Sequence, residues 1–335
     1  RKVCRLGPTS MYRLVAVSLF LLGVELPVNQ AQALPPPGER PRDPVTRRPV
    51  FPKKVRDRSR YGKLSKTQIN RRLRRVARKH SLRERMLSHS HGLLGAHYRD
   101  DPLGEGEGGL WDQDPRLQLA PVDCLTFVET VMALSLAPNL KEASRWMDRI
   151  RYAGDRVAYE HRNHFMLSQW LPNQHRLGLL KDITAAVAGA SLTTVVQDYD
   201  VLDWKSVPPS KLPLHFQLSM APAGRHELPT LPWYALKARA RSIPTGTLLL
   251  LVRAPRKYNP VRISHVGIVI QPTQPGGVTV IRHASREGWG RVVDQKLTSY
   301  VEALATRSRW PAVGVNLQLP MQVKQPEGRL AGPLH

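Results

Sequence analysis

The 335-residue chain is strongly basic, with 51 Lys and Arg residues against 26 Asp and Glu residues and a formal net charge of +25. Such an excess favours anionic partners, among which nucleic acid, a membrane surface and an acidic cell-wall polymer all qualify. The sequence has no phosphate loop and no metal-type Cys/His spacing, so cofactor chemistry has little support in it. We expect neither a cofactor nor a metal.

The N-terminal segment has the three parts of a secretory signal peptide. A short basic start at residues 11–13 precedes an apolar run at 14–23, and the small-residue sequence AQA follows at 31–33. We therefore expect residues 1–33 to be a signal peptide, with residues 1–10 upstream of the true start. The exported protein is predicted to be periplasmic or associated with the cell wall.

By composition, the rest of the chain divides into three parts. Residues 34–64 are rich in Pro and Arg without apolar periodicity, which predicts a basic, extended leader. Residues 65–317 carry the periodic apolar segments and are predicted to form one domain. Residues 318–335 form the predicted tail, and the Pro-rich sequence beyond Trp310 is expected to be peripheral.

Two helices are predicted at the start of the domain. At 65–79, apolar residues share one helical face and arginines cover the remainder, as in a solvated helix. The alternative for these arginines is a surface that binds a polyanion. Ser81 with Glu84 has the spacing of a capping box, which predicts a second short helix through Leu87.

The next predicted helix begins with the single cysteine that remains after the signal peptide. Asp123 has the position of an N-cap residue, Cys124 follows it, and an apolar helical pattern continues from Phe127. Because the partial positive charge of a helix start lowers the pKa of a thiol, this placement predicts a nucleophilic thiolate. The alternative is a small, buried and unreactive cysteine.

The C-terminal third changes to short β-rich runs. Segments at 247–252, 263–270 and 278–281 are separated by Pro and Gly, which predicts neighbouring strands of an antiparallel sheet. The domain is therefore predicted to be of the α+β class, with N-terminal helices packed on a C-terminal sheet.

Two histidines in this region are candidates for acid–base chemistry. Alternation along the strand places His265 and Gly267 on one face, where the small Gly267 leaves room for a substrate or a helix. His283 lies at the end of the next predicted strand, and a hairpin brings it beside His265. A thiol, a histidine base and a third polar residue that orients the base together indicate a cysteine hydrolase.

The same residues carry a resemblance to a known family. The chain resembles the N-acetylmuramoyl-L-alanine amidase-like family, a branch of the NlpC-type, papain-related cysteine hydrolases of the bacterial cell wall. The resemblance covers residues 65–317 and is carried in order by LGAHY at 94–98, LGEG at 103–106, DQDP at 112–115, DCLTFVE at 123–129, RNHF at 162–165, WLP at 170–172, DIT at 182–184, SHVG at 264–267 and HAS at 283–285.

This resemblance implies a papain-like fold and a set of site residues. Cys124 matches the nucleophile, His265 the general base and His283 the third, orienting residue. Tyr98 matches a tyrosine of the substrate pocket. Asp123 matches an acidic residue that meets a substrate amine, a role compatible with that of a simple N-cap.

A second, branch-specific motif has two open interpretations. Arg162, Asn163 and His164 resemble a polar cluster of this branch, which could bind a substrate carboxylate or a sugar. Structural residues at the edge of the core are an equally good interpretation.

The predicted function is that of an exported, monomeric peptidoglycan hydrolase acting on the polymer or on a muropeptide. The family name favours cleavage of the N-acetylmuramoyl-L-alanine amide, and the γ-D-glutamyl-diamino acid bond is the alternative. An inactive protein that binds the cell wall or another polyanion is a rival from a different class. A specific nucleic-acid role suits the charge but fits poorly with export, and the chain also lacks a basic patch interleaved with aromatic residues. Contact with an anionic wall polymer or membrane surface would add nonspecific attraction.

Overall fold

The computed structural model describes residues 57–286 and 289–323. The predicted signal peptide, most of the leader and the end of the tail lie outside the described residues. Within these ranges, none of the helices combines the length and apolarity that crossing a bilayer requires.

The first four helices pack together against one face of a sheet, as the α+β prediction requires. Their bounds are α1 (Lys66–Ala77), α2 (Leu82–Gly92), α3 (Cys124–Leu136) and α4 (Leu140–Arg151). Five further helices follow in the described part of the chain: α5 (Leu171–Arg176), α6 (Thr184–Ala188), α7 (Val201–Ser206), α8 (Trp233–Arg239) and α9 (Leu297–Thr306).

The first two helices begin where their capping residues predict. Ser65 caps α1 and Ser81 caps α2, each within a capping box that satisfies two N–H groups left without a helical partner. α2 continues to Gly92, well beyond the predicted end at Leu87. The extra turn is stabilised because His89 is buried and its ring is hydrogen-bonded to the Tyr61 hydroxyl.

Eight antiparallel strands form the sheet in the described part of the chain, whereas the sequence predicted three of them. Seven follow one another in the order β2-β3-β8-β4-β5-β6-β7, and β1 pairs with β8. Their bounds are β1 (Leu180–Asp182), β2 (Thr193–Tyr199), β3 (Gly224–Pro232), β4 (Leu248–Arg253), β5 (Ile263–Ile270), β6 (Val280–Ser285), β7 (Arg291–Lys296) and β8 (Ala312–Pro320).

The expectation of a peripheral segment after Trp310 is wrong. β8 lies between β3 and β4, and Val315 and Leu317 are completely buried. The polar residues Asn316 and Gln318 are also buried, and both donate side-chain hydrogen bonds to the Asp182 carboxylate. Because these buried amides find a partner on β1, polar residues are tolerated in a central strand that extends past the predicted domain end at 317.

The sheet separates two apolar cores. On β4, Leu248 and Leu250 contribute to the core formed with α1–α4, whereas Leu249 and Leu251 contribute to the core formed with α6, α8 and α9. Successive residues of a strand point to opposite faces, so a run of consecutive leucines serves both cores. This division fixes which strand residues can face α3 and which face α9.

Candidate functional site

Cys124 is the first residue of α3, as the capping pattern predicted. The Asp123 carboxylate accepts a hydrogen bond of 2.7 Å from the Thr126 N–H, and the Asp123 N–H donates one of 2.8 Å to the Thr126 hydroxyl. The rest of α3 is almost entirely buried, which holds its first turn in place. The Cys124 thiol itself is half-buried.

The thiol lies where two strands of the sheet diverge. β5 and β6 pair only between Ile268–Ile270 and Val280–Arg282, so the first half of β5 is unpaired on that side. Val269 exchanges hydrogen bonds of 2.8 Å with Thr247 and Gly246, on the β4 side. Strand alternation then directs the Val266 N–H away from β4 and toward the gap.

That N–H group faces the Cys124 sulfur. The start of α3 therefore occupies the gap between β5 and β6, beside Val266.

His265 and His283 form a direct hydrogen bond across the same two strands. The Nε2 atom of His265 lies 2.7 Å from Nδ1 of His283, as the predicted hairpin required. The Nε2 atom of His283 lies 2.7 Å from Oε1 of Gln295 on β7. The Tyr300 ring of α9 packs on both imidazoles, at centroid distances of 5.8 Å and 4.8 Å. His283 is buried and His265 half-buried.

The histidine pair and α3 belong to opposite faces of the sheet. His265 pairs with Leu251, a residue of the α9-side core, and Tyr300 of α9 contacts both imidazoles. Cys124 packs on the other core, which α1–α4 cover. The thiol and the imidazoles thus lie on different sides of the sheet.

Gly267 keeps the histidine pair together, in a way that differs from its predicted role. A Cβ atom at this position would lie 2.6 Å from Cγ1 of Ile281 and 2.9 Å from Cβ of His283. The space beside His265 is therefore filled by β6 and not by a substrate or a helix.

The electrostatics of the thiol contradict the prediction of a lowered pKa. Burial raises the pKa of Cys124 to about 12, and the Asp123 carboxylate adds to this effect. The N–H groups of Val266, Leu125 and Cys124 face the sulfur and offset only part of the increase. The prediction is wrong because desolvation and a neighbouring anion outweigh the helix start.

The histidines are shifted in the opposite direction. Burial holds the pKa of His265 well below its usual value, and the neighbouring His283 and Arg253 lower it further. Burial also lowers the pKa of His283, although its hydrogen bond with Gln295 opposes this. At neutral pH the resting site therefore contains a neutral thiol and two neutral imidazoles.

Tyr98 and a group of carboxylates lie beside the nucleophile position. The Tyr98 hydroxyl donates a hydrogen bond of 2.9 Å to Asp100, and the Asp101 N–H donates one of 3.1 Å to Asp123. Burial raises the pKa of Tyr98, and the nearby Cys124 and Asp100 raise it further. Asp100 and Asp101 are exposed at the mouth of the site, where Arg286 lies 3.5 Å from the Asp100 carboxylate and Arg162 lies 3.5 Å from that of Asp101.

The Arg162 motif lies mainly within the protein. Arg162 is buried, and its guanidinium donates hydrogen bonds of 2.9 Å to Glu105 and 2.9 Å to Asp112. Asn163 is buried and donates to the Ile150 carbonyl, and the His164 ring bonds to the Tyr159 carbonyl. These contacts fit the interpretation of the motif as structure at the core edge.

The motif nevertheless connects to the site mouth. Arg162 also lies 3.5 Å from the carboxylate of Asp101, whose N–H binds Asp123. The motif can therefore position the acidic residues beside Cys124 without contacting a substrate itself.

Two supporting groups were not predicted from the sequence. Glu129 of α3 is buried and accepts hydrogen bonds of 2.7 Å from Arg151 and 2.9 Å from the Trp170 indole. A charged residue within an apolar helical run signals such a buried pair. Gln295 has no comparable signal, because β7 itself was not predicted.

Metal-dependent chemistry has no evident centre in the described residues. No group of three or more His, Cys, Asp or Glu side chains within them is arranged to hold a metal ion.

Comparison with known proteins places this site in a family context. A search of curated proteins gave no match. A solved structure of a Legionella pneumophila protein is similar over 76% of this chain and 95% of its own, with 24% identity and a TM-score of 0.66. An N-acetylmuramoyl-L-alanine amidase from Bacteroides uniformis is similar over 71% of this chain and 99% of its own, with 21% identity and a TM-score of 0.55.

A structure described as a putative xylanase from Bacteroides fragilis also matches, over 69% of this chain and 99% of its own, with 24% identity and a TM-score of 0.52. At these identities the structural matches establish the fold alone. The model of the N-acetylmuramoyl-L-alanine amidase-like family, in contrast, matches residues 88–306, well over half of the sequence. The chain therefore belongs to the N-acetylmuramoyl-L-alanine amidase-like family.

Proposed function

We propose that this protein is an exported cysteine amidase of NlpC-type fold that cleaves the N-acetylmuramoyl-L-alanine bond of peptidoglycan or of a muropeptide. The observation that carries the proposal is the hydrogen-bonded pair His265–His283 at the gap that the start of α3 occupies. Membership of the amidase-like family supports a peptidoglycan substrate.

In the proposed first step, the Cys124 thiol attacks the carbonyl carbon of the muramoyl amide. Since the resting thiol is neutral, its proton moves to His265 as the sulfur–carbon bond forms. The Cys124 N–H, at a helix start where N–H groups lack helical partners, stabilises the oxyanion. His283 orients the His265 ring and disperses the charge that it gains.

In the second half of the reaction, the tetrahedral intermediate collapses. The carbon–nitrogen bond breaks, and His265 returns its proton to the departing amine of L-alanine. Water, deprotonated by His265, then attacks the thioester and releases the muramoyl carboxylate, which restores the Cys124 thiol. The site needs only these residues and water for the balance of atoms and protons.

The carboxylates beside Cys124 support a second candidate reaction, although Arg286 and Arg162 pair with two of them. Asp100, Asp101 and Asp123 lie near Cys124, and a free amine at the N-terminus of a stem peptide would be attracted to them. Cleavage after γ-D-glutamate in such a peptide is therefore the alternative activity. An inactive wall-binding protein is the third candidate. Digestion with the native protein and with its Cys124→Ala variant distinguishes it from the two enzymes.

Digestion of purified peptidoglycan by the protein beginning at Leu34, beside its Cys124→Ala variant, tests this proposal. Mass spectrometry of the products should show free stem peptides beginning with L-alanine, and the variant should produce none. Fragments cut after γ-D-glutamate would reassign the activity as that of an endopeptidase. Equal product from both proteins would refute cysteine catalysis, and no product from either on polymer or on soluble muropeptides would favour a binding role.

Helix α1 supports a contact with an anionic wall polymer. Arg71, Arg74, Arg75 and Arg78 are exposed and follow the spacing of one helical stripe, and within the described residues they have no acidic partner at ion-pair distance. Like charges three and four residues apart destabilise a helix, which an anionic partner would offset. Adsorption to isolated cell-wall material should therefore weaken with added salt and when the four arginines are changed to glutamine.

Cleavage of a small soluble muropeptide should stay unchanged in that variant. The reason is distance. The arginine stripe ends near the C-terminal end of α3, because Arg85 donates hydrogen bonds both to the Lys79 carbonyl and to the Ser135 carbonyl. Cys124 starts the same helix, about 18 Å away at 1.5 Å per residue.

A further inference from the structure

Gln295 ends the hydrogen-bonded chain that starts at His265. Its Oε1 atom lies 2.7 Å from Nε2 of His283, and Nδ1 of His283 lies 2.7 Å from Nε2 of His265. The three side chains come from β5, β6 and β7, and Gln295 shares a face with His283 because it pairs with Ile281, two residues earlier on β6. Nδ1 is therefore the ring nitrogen of His265 that takes no part in these hydrogen bonds and can exchange a proton in a reaction.

In a hydrogen-bonded chain of two neutral imidazoles and an amide, all donors can point in either of two directions, which are the two polarities of the chain. With Gln295 as acceptor, Nε2 of His283 carries the proton, its Nδ1 accepts from His265, and Nδ1 of His265 has a free lone pair. With the amide reversed, every hydrogen bond reverses and Nδ1 of His265 carries a proton. Only the first polarity leaves His265 able to act as a base.

We infer that Gln295 is a positioning residue, whose amide oxygen fixes both histidines as Nε2–H tautomers and so makes Nδ1 of His265 the general base. This inference rests on the proposed function for its catalytic consequence, whereas the tautomers themselves are independent of it. The hydrogen-bonded chain of His265, His283 and Gln295 is called the relay below. A glutamine suits its last position because it accepts a hydrogen bond without adding a charge to the relay.

The surroundings of the relay allow the role of Gln295 to be isolated. Arg253 from β4, Asp294 from β7 and Tyr300 from α9 are the charged or titratable groups of the described residues that face the histidines. The Asp294 carboxylate is paired with both ends of the Arg282 guanidinium at 2.8 Å. A substitution at 295 leaves all of these groups in place.

Tautomers can be observed directly by long-range ¹H–¹⁵N NMR of the full mature protein labelled at histidine. The native protein should show Nε2–H tautomers for both His265 and His283. Gln295→Glu, an acceptor only, should keep them, whereas Gln295→Leu should give mixed tautomers. A native His283 with its proton on Nδ1 would overturn the inference, whatever the activity of the protein.

Activity supplies the second readout. Gln295→Leu should lower kcat/KM roughly 10- to 100-fold, as for other partners that orient a functional histidine. Gln295→Glu should lose less and shift the acid limb of the pH profile upward, because a carboxylate raises the pKa of the relay. Equal losses in the two variants would refute the acceptor role. Gln271→Leu, which removes an amide bonded to the Ala240 and Ile243 carbonyls, controls for destabilisation alone.

These outcomes separate the inference from the proposed function. Nε2–H tautomers in a protein whose Cys124→Ala variant digests peptidoglycan normally would leave the positioning role intact and refute cysteine catalysis. Reversed tautomers in a protein that requires Cys124 would refute only the role of Gln295.

Discussion

The resting state of Cys124 is open to a quantitative test by alkylation. With a pKa of about 12, the thiolate fraction at pH 7.5 is about 3 × 10⁻⁵, against ~10% for a free cysteine of pKa ~8.5. This reduces the reactive fraction by a factor of roughly 3,000. A more basic thiolate is also more nucleophilic, and a Brønsted coefficient near 0.45 returns a factor of roughly 40. Iodoacetamide should therefore react roughly 75-fold more slowly with Cys124 than with a free cysteine.

The pH dependence of the rate separates this explanation from simple steric protection. The logarithm of the rate constant for the protein beginning at Leu34 should rise by about one per pH unit from pH 7 to pH 10, without a plateau. Asp123→Asn keeps a side-chain N-cap but removes the carboxylate that raises the pKa, so it should react faster at every pH in this range.

A plateau below pH 8 would refute the reasoning, since it would show that the thiolate is already formed in the resting protein. Cys124→Ser supplies the labelling control. Because the protein beginning at Leu34 contains no other cysteine, this variant should take up no label.

Three further predictions follow from the geometry of the site. Gly267→Ala places a Cβ atom 2.6 Å from Ile281 and 2.9 Å from His283. The free energy of unfolding, measured in urea titrations, should drop by about 1–3 kcal/mol. Activity should also fall under conditions in which the variant is still fully folded, because His283 is displaced. Because the pKa of His265 is held well below 6.5 and only its neutral form accepts a proton, kcat/KM on a soluble muropeptide should stay level from pH 8 to pH 6.5 and decline only at lower pH. Glu129→Gln leaves the buried Arg151 without its counter-charge, so the free energy of unfolding should decrease by about 3 kcal/mol.

Each of these predictions has a result that would contradict it. An acid limb centred at or above pH 6.5 would mean that His265 is not desolvated as described. Full activity in Gly267→Ala would show that β6 can move without displacing His283. For Glu129→Gln the matched control is Glu142→Gln, which breaks a half-exposed pair with Arg145 and should cost less than about 1 kcal/mol.

The sequence was informative where a local pattern determines the structure. The α3 start at Cys124 follows from the Asp123 cap and the apolar run behind it, and the bounds of β5 match the predicted 263–270. Short-range pairing likewise brought His283 to His265. In these cases neighbouring residues along the chain carry the whole signal.

The sequence failed where distant residues decide. β8 was missed because its buried Asn316 and Gln318 look like surface residues until Asp182, over 130 positions earlier, satisfies them. The pKa of Cys124 was predicted in the wrong direction for a similar reason. The helix start is visible in the sequence, but the depth of burial that outweighs it depends on the whole fold.

The divergence of β5 and β6 gives these observations a common explanation. If the two strands paired along their full length, the Val266 N–H would bond to β6 and the start of α3 would have no place in the sheet. Gly267 marks the limit of the gap, since a larger residue there would push β6, and His283 with it, away from His265. The proposed mechanism, with the histidine pair on one face and the thiol on the other, therefore requires that pairing stop at Ile268. On this argument, the unpaired half of β5 is as much a part of the site as the side chains that surround it.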